Sequence, residues 1–136
     1  MVERPVPTPH ADSAPYWEGC AAGELRLQHC STCGEPRFYP RARCPFCFSG
    51  DADWKAVTGR GSIYSYTVVR RAMHPWFAER VPYVVALIAL DEGPRLMSHV
   101  LADPETIRIG QRVHVVFDDA GSVTLPMFEL TEERQN

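Results

Sequence analysis

Lysine is almost missing from this chain of 136 residues: Lys55 is the only one, and arginine carries the rest of the positive charge. The formal net charge is −3, and the deficit lies in residues 51–136, where nine basic groups face twelve acidic ones. That balance lacks the basic surplus expected of a protein that grips phosphate backbones, so nucleic acid is not the expected main partner. No apolar run approaches the ~20 residues of a membrane span. The start, Met-Val-Glu-Arg-Pro, has no apolar stretch of the kind a secretory leader carries, so the cytoplasm is the expected compartment. Catalytic signatures are missing too: there is no nucleophile elbow, glycine-rich phosphate loop or His-Glu-x-x-His. His99 and His114 read as structural residues inside strands. His74, before a proline in a long loop, is the one histidine placed to act as a general base. No catalytic residue is assigned.

What the chain does have is Cys30-Ser-Thr-Cys33, followed after ten residues by Cys44-Pro-Phe-Cys47. A gap of two residues lets a tight turn aim both sulfurs at one point, and two such turns face to face supply four thiolates. The alternatives, two disulfides or four unrelated thiols, fit a secreted chain better than this one. A closed four-thiolate site suits Zn²⁺ or a single iron. Zinc is expected, in a structural role, because protein ligands leave no open position. Cys20 lies outside the paired spacing and reads as a small apolar filler. His29, beside Cys30, is not needed as a ligand.

The remaining pattern is mainly β. Residues 1–14 are rich in Pro and small residues and read as a flexible tail; 131–136 read as another. Pro15 to Ala22 predicts a short helix ended by Gly23, and its Tyr16 and Trp17 either pack on the following domain or dock on a partner chain. Leu25 to His29 leads into the first cysteine turn as a strand, and 15–50 form one unit with the cysteines. Between the cysteine pairs, Arg37, Arg41 and Arg43 are either solvated or form a cationic patch suited to phosphate groups.

Residues 51–130 predict a five-stranded OB barrel. Trp54 to Thr58 reads as the start of a first strand broken by Gly59-Arg60-Gly61 and continued from Ser62 to Arg70. Tyr83 to Leu90 is apolar on both faces and is expected to be central. Asp91-Glu92-Gly93 turns it into the 95–101 strand. Asp103 to Thr106 suggests one helical turn, followed by strands at 111–118 and 122–130. The loop from Arg71 to Pro82 is longer and more apolar than a passive connection, so it caps the barrel mouth or meets a ligand or another subunit. Tyr64 and Tyr66 could stack bases, which keeps single-stranded nucleic-acid binding as the alternative function, or simply pack. A rubredoxin-type electron carrier, which would need iron, is a weaker third possibility.

Taken together, Tyr16-Trp17-Glu18-Gly19, Gly23-Glu24-Leu25, the four-cysteine ribbon, the segment from Gly59 to Val69, Pro82-Tyr83-Val84-Val85-Ala86-Leu87, Leu90-Asp91-Glu92-Gly93 and Ile109-Gly110 resemble one family. It is the family of acyl-CoA-associated proteins with an N-terminal rubredoxin-like zinc ribbon and an OB-fold, and the likeness runs from about Tyr16 to Leu130. The resemblance implies an accessory subunit that docks on a thiolase-like enzyme (a thiolase, an acyltransferase or an aldolase of steroid side-chain breakdown) and helps hold or shield an acyl-CoA. It implies Cys30, Cys33, Cys44 and Cys47 as zinc ligands. The CoA thioester would be met by the Arg37, Arg41 and Arg43 group or by Arg70, His74, Trp76 and Phe77; Tyr16 and Trp17 would meet the partner. Phe48 stands where the family has glycine after the last cysteine. This is expected to alter the local turn and leave the metal unaffected.

Overall fold

The computed structural model describes residues 3–10 and 13–131; the frayed end expected at 131–136 falls almost wholly outside them. A helix α1 (Ala14–Ala21) carries Pro15 in its first turn, and Gly23, at φ 81°, follows its last residues as expected. Gly19 lets this helix lie against the next segment. A β-carbon there would stand 2.8 Å from the Arg26 side chain and 2.9 Å from the Glu24 carbonyl oxygen. β1 (Leu25–Cys30) pairs antiparallel with β2 (Pro36–Arg37) and β3 (Ala52–Val57), in the order β2-β1-β3.

That pairing corrects one expectation. Trp54 to Val57 is no part of the barrel's first strand: it lies along β1, with Trp54 opposite Gln28 and Val57 opposite Leu25. Gly59, at φ 71°, turns the chain out of this sheet before the barrel begins.

The barrel is built from β4 (Arg60–Val69), β5 (Tyr83–Leu90), β6 (Arg95–Val100), β7 (Arg112–Asp119) and β8 (Thr124–Leu130). Its order is β4-β5-β6-β8-β7, closed by β4 pairing with β7, and only the β6–β8 contact is parallel. Closure of this kind removes exposed sheet edges. β4 serves two neighbours: residues 60–62 meet β7, and residues 61–69 meet β5, with a bulge at Tyr64. On β5 the alternate residues Val84, Ala86, Ile88 and Leu90 fill the interior. Val85 and Leu87 on the outer face are only half-buried, so the doubly apolar pattern marks a strand between two neighbours rather than one covered on both faces. Phe128 is fully buried. Residues 103–106 form a hydrogen-bonded turn rather than a helix, with the Asp103 carboxylate accepting from the Glu105 amide at 2.9 Å.

Tyr16, Cys20, Leu25 and Leu27 belong to the same buried cluster as Ile63, Val84 and Phe128. Ribbon and barrel therefore share one apolar core, which is how a small metal lobe gains burial it could not assemble alone. Among the described residues no helix is long and apolar enough to cross a membrane.

Candidate metal centre and aromatic cleft

The two cysteine turns are near copies of each other. Cys30 N–H donates to the Glu35 carbonyl (3.0 Å) and Gly34 N–H to the Cys30 carbonyl (2.9 Å); Cys44 N–H donates to Ser49 and Phe48 N–H to Cys44, both at 2.9 Å. Each turn also aims an amide at its first sulfur, Cys33 N–H at Cys30 Sγ and Phe46 N–H at Cys44 Sγ, each 3.4 Å away. The four Sγ atoms lie within 4.8 Å of one another, with Cys30–Cys47 at 3.5 Å and Cys33–Cys44 at 3.7 Å. Disulfide sulfurs sit ~2.05 Å apart. Four sulfurs ~2.3 Å from a tetrahedral Zn²⁺ are separated by roughly 3.8 Å, so the donor set fits that ion. The Cys33 amide draws the Cys30 thiol down to about 6, against the cost of desolvation. Cys30, Cys33, Cys44 and Cys47 would hold the metal, and its chemistry there is to cross-link the ribbon. His29 faces away from the cluster, with Nδ1 3.3 Å from the Leu27 carbonyl.

The altered turn expected at Phe48 does not occur. Phe48 takes φ 65°, the left-handed region that Gly34 occupies at 79° in the first turn, and makes the same hydrogen bond.

The arginines between the cysteine pairs are not one solvated patch. Arg37 is buried, donating from Nε to Gln28 Oε1 (3.0 Å) and from Nη2 to the Arg41 carbonyl (2.9 Å). Gln28 Oε1 also accepts from the Arg41 amide at 2.7 Å, so Arg37 and Gln28 together clamp the loop onto β1. Arg43 lies over the Phe48 ring, 5.0 Å from its centroid. Only Arg41 and Arg43 remain exposed for an anion.

Elsewhere the chain forms a cleft of about 610 Å³. Tyr16 and Trp17 from α1, Phe38 and Tyr39 from the ribbon, and Trp76, Phe77 and Arg80 from the β4–β5 loop line it, together with Tyr83, Met97, His99, Leu101 and the 125–127 segment. Tyr83 and His99 stack with ring centroids 4.9 Å apart and planes 6° apart, and Phe77 leans on Tyr83 at 5.1 Å. Trp76 meets Phe77 edge-on at 4.9 Å. Two cations lie over Trp76: Arg80 at 3.4 Å from the ring centroid and Arg4 at 4.8 Å, the latter paired with Asp118 at 2.8 Å. Burial pushes the Tyr16 hydroxyl above its ordinary range and the Cys20 thiol up to about 11, so both stay protonated. Burial first, and Arg4 second, lower His99.

Of the residues expected to meet a ligand or partner, the cleft gathers Tyr16, Trp17, Trp76 and Phe77. Tyr16 is buried against Phe38, 5.5 Å between rings, and so offers no free docking surface. Trp17 is half-buried. His74 supports Trp76 from behind, its Nδ1 accepting the Trp76 amide at 3.1 Å to cap a single 3₁₀ turn (Pro75–Phe77). That bond occupies the nitrogen a general base would use. Arg70 is exposed at the end of β4 and does not line the cleft. Sequence reasoning missed Arg4, Arg80, Tyr83, His99 and Asp118. They come from separate segments of the chain, and no local pattern marks them as neighbours. Tyr64, a candidate stacking platform, carries the Arg95 guanidinium over one face at 3.9 Å and stays about half exposed (49%).

Comparison with known proteins agrees with this architecture. The family profile described as the ChsH2 rubredoxin-like zinc ribbon domain matches residues 17–52, taking in all four cysteines, and that of the ChsH2 C-terminal OB-fold domain matches residues 54–118. A probable enoyl-CoA hydratase alpha subunit from Thermomonospora curvata is 38% identical over 127 residues, covering 92% of this chain and 39% of that protein. A DUF35 domain-containing scaffold protein from Methanothermobacter thermautotrophicus is 38% identical over 90 residues, 65% of this chain and 67% of that one. A chain of the solved Ltp2-ChsH2(DUF35) aldolase superposes with a TM-score of 0.83 at 36% identity, covering 92% of this chain and 98% of that chain. Against the Thermomonospora relative, this chain spans about two fifths of the length. On these matches the chain belongs to the DUF35 family, with the rubredoxin-like zinc ribbon and OB-fold of ChsH2.

Proposed function

We propose that this chain is a non-catalytic accessory subunit of an acyl-CoA-processing complex, docking on a thiolase-like enzyme and helping to hold or shield the CoA thioester. The observation that carries this reading is the near full-length match to a chain of an aldolase named for two components, Ltp2 and ChsH2(DUF35). The names of two relatives, an alpha subunit and a scaffold protein, point the same way.

The chemistry of the described residues supports it. Four protein thiolates would close the coordination sphere of a zinc ion, so the metal would brace the ribbon and leave no position for substrate. Cys20 is buried and protonated, and His74 is committed to its cap, so neither is poised as nucleophile or base. The cleft offers instead an apolar, ring-lined space that can keep water from a reactive thioester held by the partner.

The test is purification of the tagged chain from its own cells at native abundance. A thiolase-like protein is expected in fixed ratio, and acyl-CoA turnover is expected of the complex only. A chain that purifies alone, or that turns over a thioester unaided, overturns the reading.

A further inference from the structure

The cleft has a composition that selects a ligand class. Rings from four separate parts of the chain converge on it, among them Trp17, Phe38, Trp76, Phe77 and Tyr83. Flat rings favour other flat rings, by offset stacking or edge-to-face contact that adds to area burial. The charged groups are few: Arg4, Arg80 and Asp118. Arg4 and Asp118 neutralise each other at 2.8 Å, whereas Arg80 has no carboxylate partner among the described residues. Among the described residues it is held by the Trp76 carbonyl and by stacking on the Trp76 ring. The mouth of the cleft thus carries, among the described residues, one uncompensated cation, in a chain whose net charge is −3. His99 adds none, since burial and the Arg4 charge favour its neutral form.

We infer that the cleft is a binding site for a planar ring system bearing an anionic group, with the ring among the aromatic side chains and the anion on Arg80. The inference deepens the accessory-subunit reading, for an acyl-CoA offers that chemistry at two places: the nucleotide end and a ring-bearing acyl group with its own carboxylate. Arg80 can meet a carboxylate or a phosphate through two parallel N–H donors, and the guanidinium already lies beside the ring position.

The experiment titrates the isolated, zinc-loaded chain, labelled with ¹⁵N, with three probes: AMP, naphthoate and naphthylmethylamine. The Trp76 indole N–H and the His99 amide are the reporters. At least one of the two anions is expected to shift these signals with a Kd below about 1 mM, and the cation to bind more weakly. Whichever anion binds more tightly names the source, nucleotide or acyl group. Arg80→Gln is expected to weaken that anion about tenfold, the loss of one charge-assisted contact, and to leave the amine unaffected. Met97→Trp, at a side chain 70% exposed on the cleft's edge, fills the space and is expected to abolish binding without disturbing the fold. Tightest binding by the amine would overturn the inference, making Asp118 the recogniser and Arg4 its stand-in. So would shifts confined to residues away from the cleft, or no binding by either anion. A chain that binds the ring probes but recovers no thiolase-like partner fails the docking reading alone. A chain that recovers the partner but ignores the probes fails this inference alone.

Discussion

Gly34 and Phe48 occupy the same place in two superposable turns: each has a positive φ, 79° and 65°, and each donates its N–H to the carbonyl of its turn's first cysteine at 2.9 Å. Glycine reaches that region without strain, whereas a side chain there costs ~1–2 kcal/mol. The second turn keeps its shape because two thiolates, two backbone hydrogen bonds and the Phe46 N–H to Cys44 Sγ contact over-determine it, and because the Arg43 guanidinium lies over one face of the exposed phenyl ring. Phe48→Gly is therefore expected to stabilise the zinc-bound protein by about 0.5–1 kcal/mol after the lost ring contact and the looser unfolded chain are subtracted. Gly34→Ala, which meets nothing within 4 Å, is expected to destabilise through backbone strain alone. Thermal melts of both variants with zinc in excess check the two opposite signs.

Barrel closure rests on Gly61, which lies opposite Leu90 on one side and Val113 on the other. A β-carbon there would be 2.5 Å from the Ala89 carbonyl oxygen and 3.0 Å from an Ile88 methyl. The nearest obstacle is backbone, which cannot swing aside as a flexible side chain could. Gly61→Ala is expected to cost at least about 3 kcal/mol, read as a lower urea midpoint or as failure to fold. A variant as stable as the parent would mean that β4 and β5 can separate at no cost.

Zinc removal should reach beyond the ribbon, because Tyr16, Leu25 and Leu27 are part of the core that holds Ile63 and Phe128. About one zinc per chain is expected by elemental analysis, and a strong chelator should red-shift tryptophan emission and lower the melting temperature of the whole chain. Cys44→Ser should reproduce that state. A barrel that melts unchanged after chelation would show that the two lobes are energetically independent.

Much of this was legible in the sequence, for identifiable reasons. The metal site was, because two cysteine pairs, each with a two-residue gap, can turn four thiolates toward one point. The barrel strands were, because β-branched and aromatic runs alternate with turn residues such as Asp91-Glu92-Gly93. What could not be read depended on distant pairing. Trp54 to Val57 looks like any strand before Gly59, and only the facing residues of β1 claim it for the ribbon. Arg37 looked solvent-facing until Gln28, nine residues earlier, supplied a buried acceptor. The cleft draws on segments as far apart as Arg4 and Met127, and no periodicity within one segment announces such an assembly. Phe48 was misjudged for the opposite reason: a local preference lost to the thiolates and hydrogen bonds around it.

Arg112 on β7 ties β4 to the turn that follows β5. Its guanidinium binds the Asp91 carboxylate at 2.8 and 2.7 Å and also donates to Ser62 Oγ at 3.0 Å. The hydrogen bonds from Arg112 hold Asp91 below its ordinary 3.8. A depressed carboxylate stabilises the fold above its unfolded pKa, and that contribution fades as pH falls below about 3.8 toward the lower folded value. Both side chains are well exposed, so the pair is worth no more than about 1 kcal/mol. Asp91→Asn is expected to lower stability near neutral pH by that amount and to flatten the acid limb of the stability curve. An unchanged acid limb would assign the loss to other carboxylates.

His99 gives the remaining handle on the cleft. Burial against Tyr83 and Phe77, and then the charge of Arg4, lower it from 6.5. Below pH 6.5 the unfolded chain takes up a proton that the folded chain refuses. Stability attributable to this residue is therefore complete above that value and declines as pH falls, until His99 protonates in place. Arg4→Gln removes the second cause and leaves the first, so the His99 titration, followed by the NMR shift of its ring protons, is expected to move part of the way back toward 6.5. It also separates the two causes of the shift. With Arg4 over Trp76 and on Asp118, its loss is expected to raise His99; a titration that does not move would assign the whole shift to burial.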